Sequence, residues 1–128
     1  MKHRMPSIHV APSPLHGLGV FTTSNIPVKS VIEICPIIFL PEQDIPTLQN
    51  TVLNDYYFEW GKDAKTGAIA LGYGSIYNHS FQPNACYDID MDNNRLYILA
   101  YRNITPGEEI TINYNGDPVD QHPVWFKT

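Results

Sequence analysis

Short apolar runs separated by prolines and glycines dominate the pattern along this chain. Three of these runs, at residues 30–40, 67–72 and 95–101, are rich in β-branched and aromatic side chains, as is typical of β-strands. An Asp-Asn-Asn turn joins the runs at residues 85–91 and 95–102 and predicts a hairpin. The 11 prolines and 8 glycines are spread over the whole length and disfavour long helices. The pattern therefore predicts a mainly β domain of many short strands.

One helix is predicted, over residues 47–55. Pro46 marks the entry and Thr47 can cap the first turn. The apolar positions of this segment recur at helical spacing, namely Leu48, Val52 and Leu53, with Tyr56 as a further candidate.

Composition bounds the class of protein. The 128 residues, 43% of them hydrophobic and 16% charged, suit a single domain over residues 1–128. The net charge of −5 disfavours direct nucleic-acid binding and suits a basic partner such as a lysine-rich peptide. No apolar run approaches the roughly 18 residues of a membrane span, and the start lacks the apolar stretch of a secretory signal. With only Cys35 and Cys86 and no CxxC pair, we expect a reduced intracellular protein, cytoplasmic or nuclear.

Three segments are dense in residues that carry chemistry. The first, "HGLGVF", holds Gly17 and Gly19, which let a backbone approach a ligand closely or simply make a turn before a strand. The second, "YNHSFQPN", sets Asn78 beside His79. This pair can bond either the backbone or a ligand. No Gly-x-Ser-x-Gly elbow supports a serine hydrolase, and His79 has no partner at metal-ligand spacing.

The third segment, "ITPGEEITINYNG", combines a turn and a strand. Pro106 and Gly107 form the turn, and residues 110–114 read as a strand that ends at Tyr114. On its own this segment is an ordinary turn and strand, with a half-buried tyrosine.

Taken in order, the three segments resemble the SET-domain family of protein-lysine methyltransferases, and most closely its compact viral and bacterial members. The resemblance covers residues 8–114, while the tail at 115–128 lacks the cysteines of the zinc-binding segment found in larger members. It implies a mainly β SET-domain (β-clip) fold of several short sheets, with a knot-like C-terminal crossing and one or two short helices.

The same resemblance implies a pocket for S-adenosylmethionine (SAM) and no metal. Asn78 and His79 would hold the amino acid end and the adenine, and Tyr114 would be the catalytic tyrosine that orients the amine and the methyl group. Trp125, with Phe126, would cover the adenine or the channel mouth, or else pack the terminus on the core. The full set of cofactor-binding residues implied is His16, Gly17, Leu18, Gly19, Tyr77, Asn78, His79, Tyr114 and Trp125.

A lysine channel is implied on the opposite face, with Tyr56, Tyr87 and Ile112 as its lining. Aromatic walls desolvate an ammonium group and favour the neutral, nucleophilic amine. A hydroxyl from Tyr87 would limit the number of methyl groups added, whereas Ile112 has no hydroxyl and leaves room. Tyr87 thus favours the addition of few methyl groups and Ile112 the addition of several, so the degree of methylation stays open.

The implied partner is a lysine-bearing protein or peptide, such as a histone-like basic tail, and substrate choice rests on the domain itself or on a homodimer partner. Neither nucleic acid nor a membrane is expected as a partner. Three alternatives share parts of this pattern: a catalytically silent SET-like peptide-binding module, a methyltransferase acting on histidine or on non-histone lysines, and a small β-rich interaction domain with coincidental turns.

Overall fold

Nine strands form the framework of the chain in the part that the structure, a computed structural model, describes: residues 3–61, 63 and 65–121. The strands are β1 Ile8–Pro12, β2 Leu18–Thr22, β3 Val31–Leu40, β4 Tyr57–Trp60, β5 Thr66–Ala70, β6 Asn78–His79, β7 Ala85–Asp90, β8 Arg95–Ala100 and β9 Glu109–Ile112. The helices are short: α1 Ile45–Gln49 and two 3-10 helices, Glu42–Asp44 and Val52–Asp55. The predicted mainly β fold class is confirmed.

A five-stranded antiparallel sheet has the strand order β4-β5-β3-β8-β7. Its centre is the long strand β3, which matches the longest apolar run of the sequence. The β7–β8 hairpin is confirmed, and its turn contains Asn94 at a φ of 51°, a left-handed conformation that asparagine tolerates better than most residues.

A second sheet has the order β1-β2-β9-β6. Strand β9 is the last strand of the described residues, but it lies between β2, to which it is antiparallel, and the two-residue strand β6, to which it is parallel. The predicted turn before β9 is confirmed: Glu108 N–H donates to the Thr105 carbonyl at 3.2 Å and Gly107 has a φ of 88°, as a type II turn requires. This insertion brings the third motif beside the first two.

The hydrophobic core joins the two sheets. Strand positions supply most of it, and Ile26, Tyr77 and Ile104 contribute from outside the strands. The largest fully buried apolar side chains are Trp60, Tyr77, Ile26, Ile32, Leu96, Ile98, Ile104, Ile110 and Ile112. Cys35 is buried in this core, whereas Cys86 is half-buried.

The side chain of Asn84 bonds the backbone of β9 in the way that a neighbouring strand would. Its amide nitrogen donates to the Glu109 carbonyl at 2.8 Å, and its amide oxygen accepts the Thr111 N–H at 2.8 Å. The side chain is 2% exposed, so no bulk water can replace these bonds. The Asn at the end of the second motif therefore fixes the strand of the third.

The predicted helix over residues 47–55 is wrong in its bounds and in its apolar face. Helix α1 already includes Pro46 and Thr47, and it ends at Gln49. Thr51 explains the end, because its hydroxyl donates to the Leu48 carbonyl at 2.6 Å and accepts the Leu53 N–H at 3.2 Å. The Thr51 hydroxyl thus occupies the Leu48 carbonyl, which would otherwise accept the next backbone hydrogen bond of the α-helix, and it caps the following 3-10 helix. Val52 is consequently 74% exposed.

Among the described residues, no helix has the length and apolar character needed to cross a membrane.

We expect Asn84→Ala to lower the free energy of unfolding by about 2–4 kcal/mol, because it leaves two buried backbone groups of β9 without partners at about 1–3 kcal/mol each. Urea denaturation measures the change. Asn25→Ala, at an exposed position, is the matched control and should stay within about 0.5 kcal/mol of the wild type. Equal stability of the two variants would contradict the role assigned to Asn84.

Candidate active site

The loop before β2 is closed on itself. Ser13 N–H donates to the Gly17 carbonyl at 2.8 Å, and the Ser13 hydroxyl accepts the Leu15 N–H at 2.9 Å. Gly17 has a φ of 48°, in the left-handed region that favours glycine. The side chain of Leu18 projects from this loop and is 55% exposed. The loop therefore presents backbone groups and one apolar side chain to the solvent.

Asn78 connects this loop to the rest of the site. Its amide nitrogen lies 3.0 Å from the carbonyl oxygens of both His16 and Leu18 and 2.8 Å from the Glu109 carboxylate. Asn78 is only 5% exposed. The first and second motifs of the sequence therefore meet, as the resemblance implies, through this single amide.

Glu109 holds the same loop from β9. One carboxylate oxygen accepts from Asn78 and the other accepts the Ser13 hydroxyl at 2.7 Å. The backbone approaches so closely here that a Cβ added to Gly19 would overlap this carboxylate. Gly19 therefore has a packing reason to be glycine. This contact could not be predicted from the sequence, in which Glu109 belongs to an ordinary turn and strand.

Tyr114 follows β9 and is fixed at two atoms. Its N–H donates to His79 Nδ1 at 3.0 Å, and its hydroxyl donates to the Tyr77 carbonyl at 2.6 Å. The His79 and Tyr114 rings lie 5.3 Å apart, and Phe81 meets the His79 ring edge-on at 4.5 Å. Because Nδ1 accepts a hydrogen bond, the His79 ring is neutral in this arrangement. Burial accordingly lowers the pKa of His79 below its usual value.

An aromatic cavity of about 400 Å³ opens beside Tyr114. Two exposed residues of its lining, Asp55 and Glu59, carry carboxylates. Six rings line it: Tyr56, Tyr57, Phe58, Tyr77, Tyr87 and Tyr114. Aromatic faces and carboxylates both attract cations, so this cavity is chemically suited to an ammonium group.

Tyr114 and Tyr87, on the wall of the cavity, are held in the neutral form. Burial raises the pKa of Tyr114 well above its ordinary value, and the neighbouring Tyr56 and Asp55 raise it further. Burial, with the charge of Glu59, raises the pKa of Tyr87 to about 12. Phe58 packs edge-on against Tyr87 with ring centres 5.0 Å apart. The hydroxyl groups of Tyr114 and Tyr87 therefore act at neutral pH as hydrogen-bonding groups rather than as tyrosinate bases.

The structure brings most of the predicted site residues together. Tyr56 and Tyr87 share the cavity with Tyr114, and Tyr77 contacts Tyr114 through its carbonyl. Ile112 lies elsewhere: it is fully buried in the core and pairs with His79 across β6 and β9. Trp125 lies outside the described residues. Within the described chain, no group of three His, Cys, Asp or Glu side chains is arranged to hold a metal ion.

Comparison with known proteins decides the family. The SET-domain profile matches residues 17–115. The chain belongs to the SET-domain family of protein-lysine methyltransferases. This confirms the resemblance drawn from the three motifs, and it identifies the chain as an enzyme of this class. Members of the family generally use SAM as the methyl donor.

Two SET-domain relatives are similar over most of their lengths. One is a Schizosaccharomyces pombe protein named "Histone-lysine N-methyltransferase, H3 lysine-37 specific", which is 37% identical over 112 residues, covering 87% of this chain and 71% of that protein. The other is the crystal structure of a Plasmodium falciparum candidate histone methyltransferase, 36% identical, with a TM-score of 0.71 over 86% of this chain and 94% of the other.

The neutral His79 predicts a stability that depends on pH. Unfolding exposes this ring and returns its pKa from the lowered value to about 6.5, so the unfolded chain binds the proton more readily. The contribution is complete above about pH 6.5 and is lost as the pH falls from there through the lowered folded pKa. We expect the unfolding free energy of the wild type to fall more steeply from pH 7 to pH 5 than that of His79→Asn, by up to about 1.4 kcal/mol per pH unit.

The asparagine in His79→Asn keeps an acceptor for the Tyr114 N–H but does not titrate, which makes it the reference for this comparison. Urea denaturation at a series of pH values provides the measurement. Parallel pH profiles for the two proteins would show that His79 is protonated equally in the folded and unfolded states.

Proposed function

We propose that this chain transfers methyl groups from SAM to lysine side chains in basic, histone-like protein segments. The observation that carries this proposal is the aromatic cavity with two carboxylates, which has Tyr114 on its wall. The relative named for histone H3 supports the choice of a histone-like substrate. The acidic net charge of −5 is complementary to such a segment.

The residues around Asn78 suit SAM. The backbone of His16, Gly17, Leu18 and Gly19 would contact its methionine portion, and Asn78 and His79 would bind its amino acid end and adenine. Support comes from the close approach at Gly19, where no side chain fits beside Glu109, and from the direct contacts of Asn78 with this loop. Bound there, SAM supplies a methyl group activated by its sulfonium charge.

The cavity would bind the target lysine. Asp55 and Glu59, both exposed, and the ring faces attract the ammonium form as it enters. Deeper in the cavity the loss of water around the nitrogen favours the neutral amine. The ammonium group is thus captured first and then loses its proton to solvent water, which reaches the cavity at the exposed residues Asp55 and Glu59. Only the neutral amine has the lone pair that attacks a methyl group.

Tyr114 would align that amine. Its hydroxyl hydrogen is already donated to the Tyr77 carbonyl, so a further hydrogen bond at this oxygen is one that it accepts. An amine N–H is a suitable donor. Accepting it turns the nitrogen lone pair in a defined direction, and alignment of this kind supplies much of the acceleration in a displacement reaction.

We expect Tyr114→Phe to lower kcat by a factor on the order of 10² or more, because it removes the accepting oxygen. SAM affinity, measured by calorimetry, should change by less than about threefold. Tyr97→Phe, which removes a hydroxyl from a residue of β8, is the matched control and should retain the wild-type rate.

Activity is measured with labelled SAM on an array of basic peptides, which reports the acceptor residue and its sequence context together. SAM binding without methyl transfer to any peptide would favour a silent peptide-binding module. Failure of the wild type to bind SAM would contradict the proposal as a whole.

A second expectation concerns charge at the cavity edge. Glu59→Gln should raise the KM for a lysine peptide by about two- to fivefold, as expected for loss of one partly screened charge contact. The effect should shrink as salt is added, and kcat should change little. Glu42→Gln, an exposed carboxylate outside the cavity lining, is the control. An equal rise in KM for both variants would assign the effect to overall charge rather than to the cavity.

A further inference from the structure

Glu33 is a carboxylate in the interior of the five-stranded sheet and has no part in the site described so far. It lies on β3 and is only 2% exposed. Glutamate is almost never buried to this extent without partners. Here one oxygen accepts the Tyr77 hydroxyl at 2.7 Å, and the other accepts the Tyr73 N–H at 2.9 Å and lies 3.5 Å from Arg4 Nη1.

The two short bonds hold one segment of chain at two points. Tyr73 and Tyr77 bracket the turn that leads into β6, and both are bonded to the same carboxylate. The approach is too close for any side chain at Gly72, where an added Cβ would overlap a Glu33 oxygen. Glu33 therefore determines the position of the segment over residues 73–77.

Tyr77 connects Glu33 to Tyr114. Its ring end is bonded to Glu33, and its backbone carbonyl accepts the Tyr114 hydroxyl at 2.6 Å. Tyr77 is 1% exposed and also lines the aromatic cavity. A chain of two hydrogen bonds thus runs from the interior of one sheet to the hydroxyl group beside the cavity.

We propose that Glu33 is a positioning residue for methyl transfer, acting through Tyr77 to hold the carbonyl that orients the Tyr114 hydroxyl. This inference rests on the proposed function, in which that hydroxyl aligns the amine. If the Tyr77 carbonyl moves, the Tyr114 hydrogen follows it, and the accepting side of the oxygen turns away from the amine. Displacements of about 1 Å can cost about a hundredfold in rate.

Tyr77→Phe is the most direct test, because it deletes the bond to Glu33 and keeps the ring. We expect kcat to fall about ten- to a hundredfold, with SAM affinity and peptide KM within about twofold of the wild type. In a Tyr114→Phe background, the same substitution should change the residual rate by less than about twofold, because its effect passes through the missing hydroxyl. Tyr97→Phe is the control for loss of a hydroxyl.

Glu33→Gln is the conservative companion variant. Its amide can keep a hydrogen bond to the Tyr77 oxygen with the direction reversed, so the loss of kcat should be smaller than in Tyr77→Phe. Glu33→Gln also serves as the test if circular dichroism shows that Tyr77→Phe does not fold. A larger loss in Glu33→Gln than in a folded Tyr77→Phe would overturn the proposal, since charge rather than position would then matter.

A second readout does not depend on activity. With tyrosine labelled with carbon-13 at the ring carbon that bears the hydroxyl, the NMR resonance of Tyr114 should shift in Tyr77→Phe and Glu33→Gln but not in Tyr97→Phe. An unmoved resonance, an unchanged kcat, or equal losses in the wild-type and Tyr114→Phe backgrounds would each overturn the proposal. A wild-type chain that methylates no peptide would instead contradict the proposed function, while the resonance shift would still decide whether Glu33 is coupled to Tyr114.

Discussion

The side-chain nitrogen of Asn78 connects parts of the chain that are far apart in sequence. Its acceptors are the carbonyls of His16 and Leu18, 62 and 60 residues earlier, and the carboxylate of Glu109, 31 residues later. All of these bonds are made at a side chain that is 5% exposed. Because a buried donor without an acceptor is costly, the Asn78 amide ties the glycine loop, the short parallel strand β6 and strand β9 to one another.

The cavity depends on the same arrangement. Tyr114 is the second residue after β9. Its N–H donates to His79, which belongs to β6, and its hydroxyl donates to the carbonyl of Tyr77, which directly precedes β6. The parallel pairing of β6 with β9 therefore sets the distance between the catalytic candidate and its supports. Both the glycine loop bonded to Asn78 and the cavity beside Tyr114 are thus connected to this one short strand pair.

Local patterns predicted much of the fold, and tertiary contacts explain what they missed. Strands such as β3 and β8 were predictable because β-branched and aromatic runs suit a half-buried pleated surface. The helix bounds were wrong because Thr51 competes for the Leu48 carbonyl, a local bond that apolar spacing does not reveal.

In the candidate site, too, local motifs were predictable and contacts between distant residues were not. Gly17, Asn78 and Tyr114 could be selected from short motifs. The roles of Glu109 and Asn84 could not, since their partners lie between 24 and 96 residues away in the chain. Asp55 and Glu59 were missed as cavity residues because nothing in their neighbourhood distinguishes them from solvated surface charges.

The position of β9 between β2 and β6 has a consequence for how the protein is made. During synthesis, β2 leaves the ribosome well before β9, and at about 5–20 residues per second the delay is on the order of 10 s. Throughout that interval β2 lacks the neighbour that completes its hydrogen bonding, and β6 lacks it for the shorter time between its own synthesis and that of β9. Open strand edges of this kind promote association between chains. The formation of β9 ends this exposure of β2 and β6, so slower synthesis between β2 and β9 would prolong the exposure without altering the finished molecule.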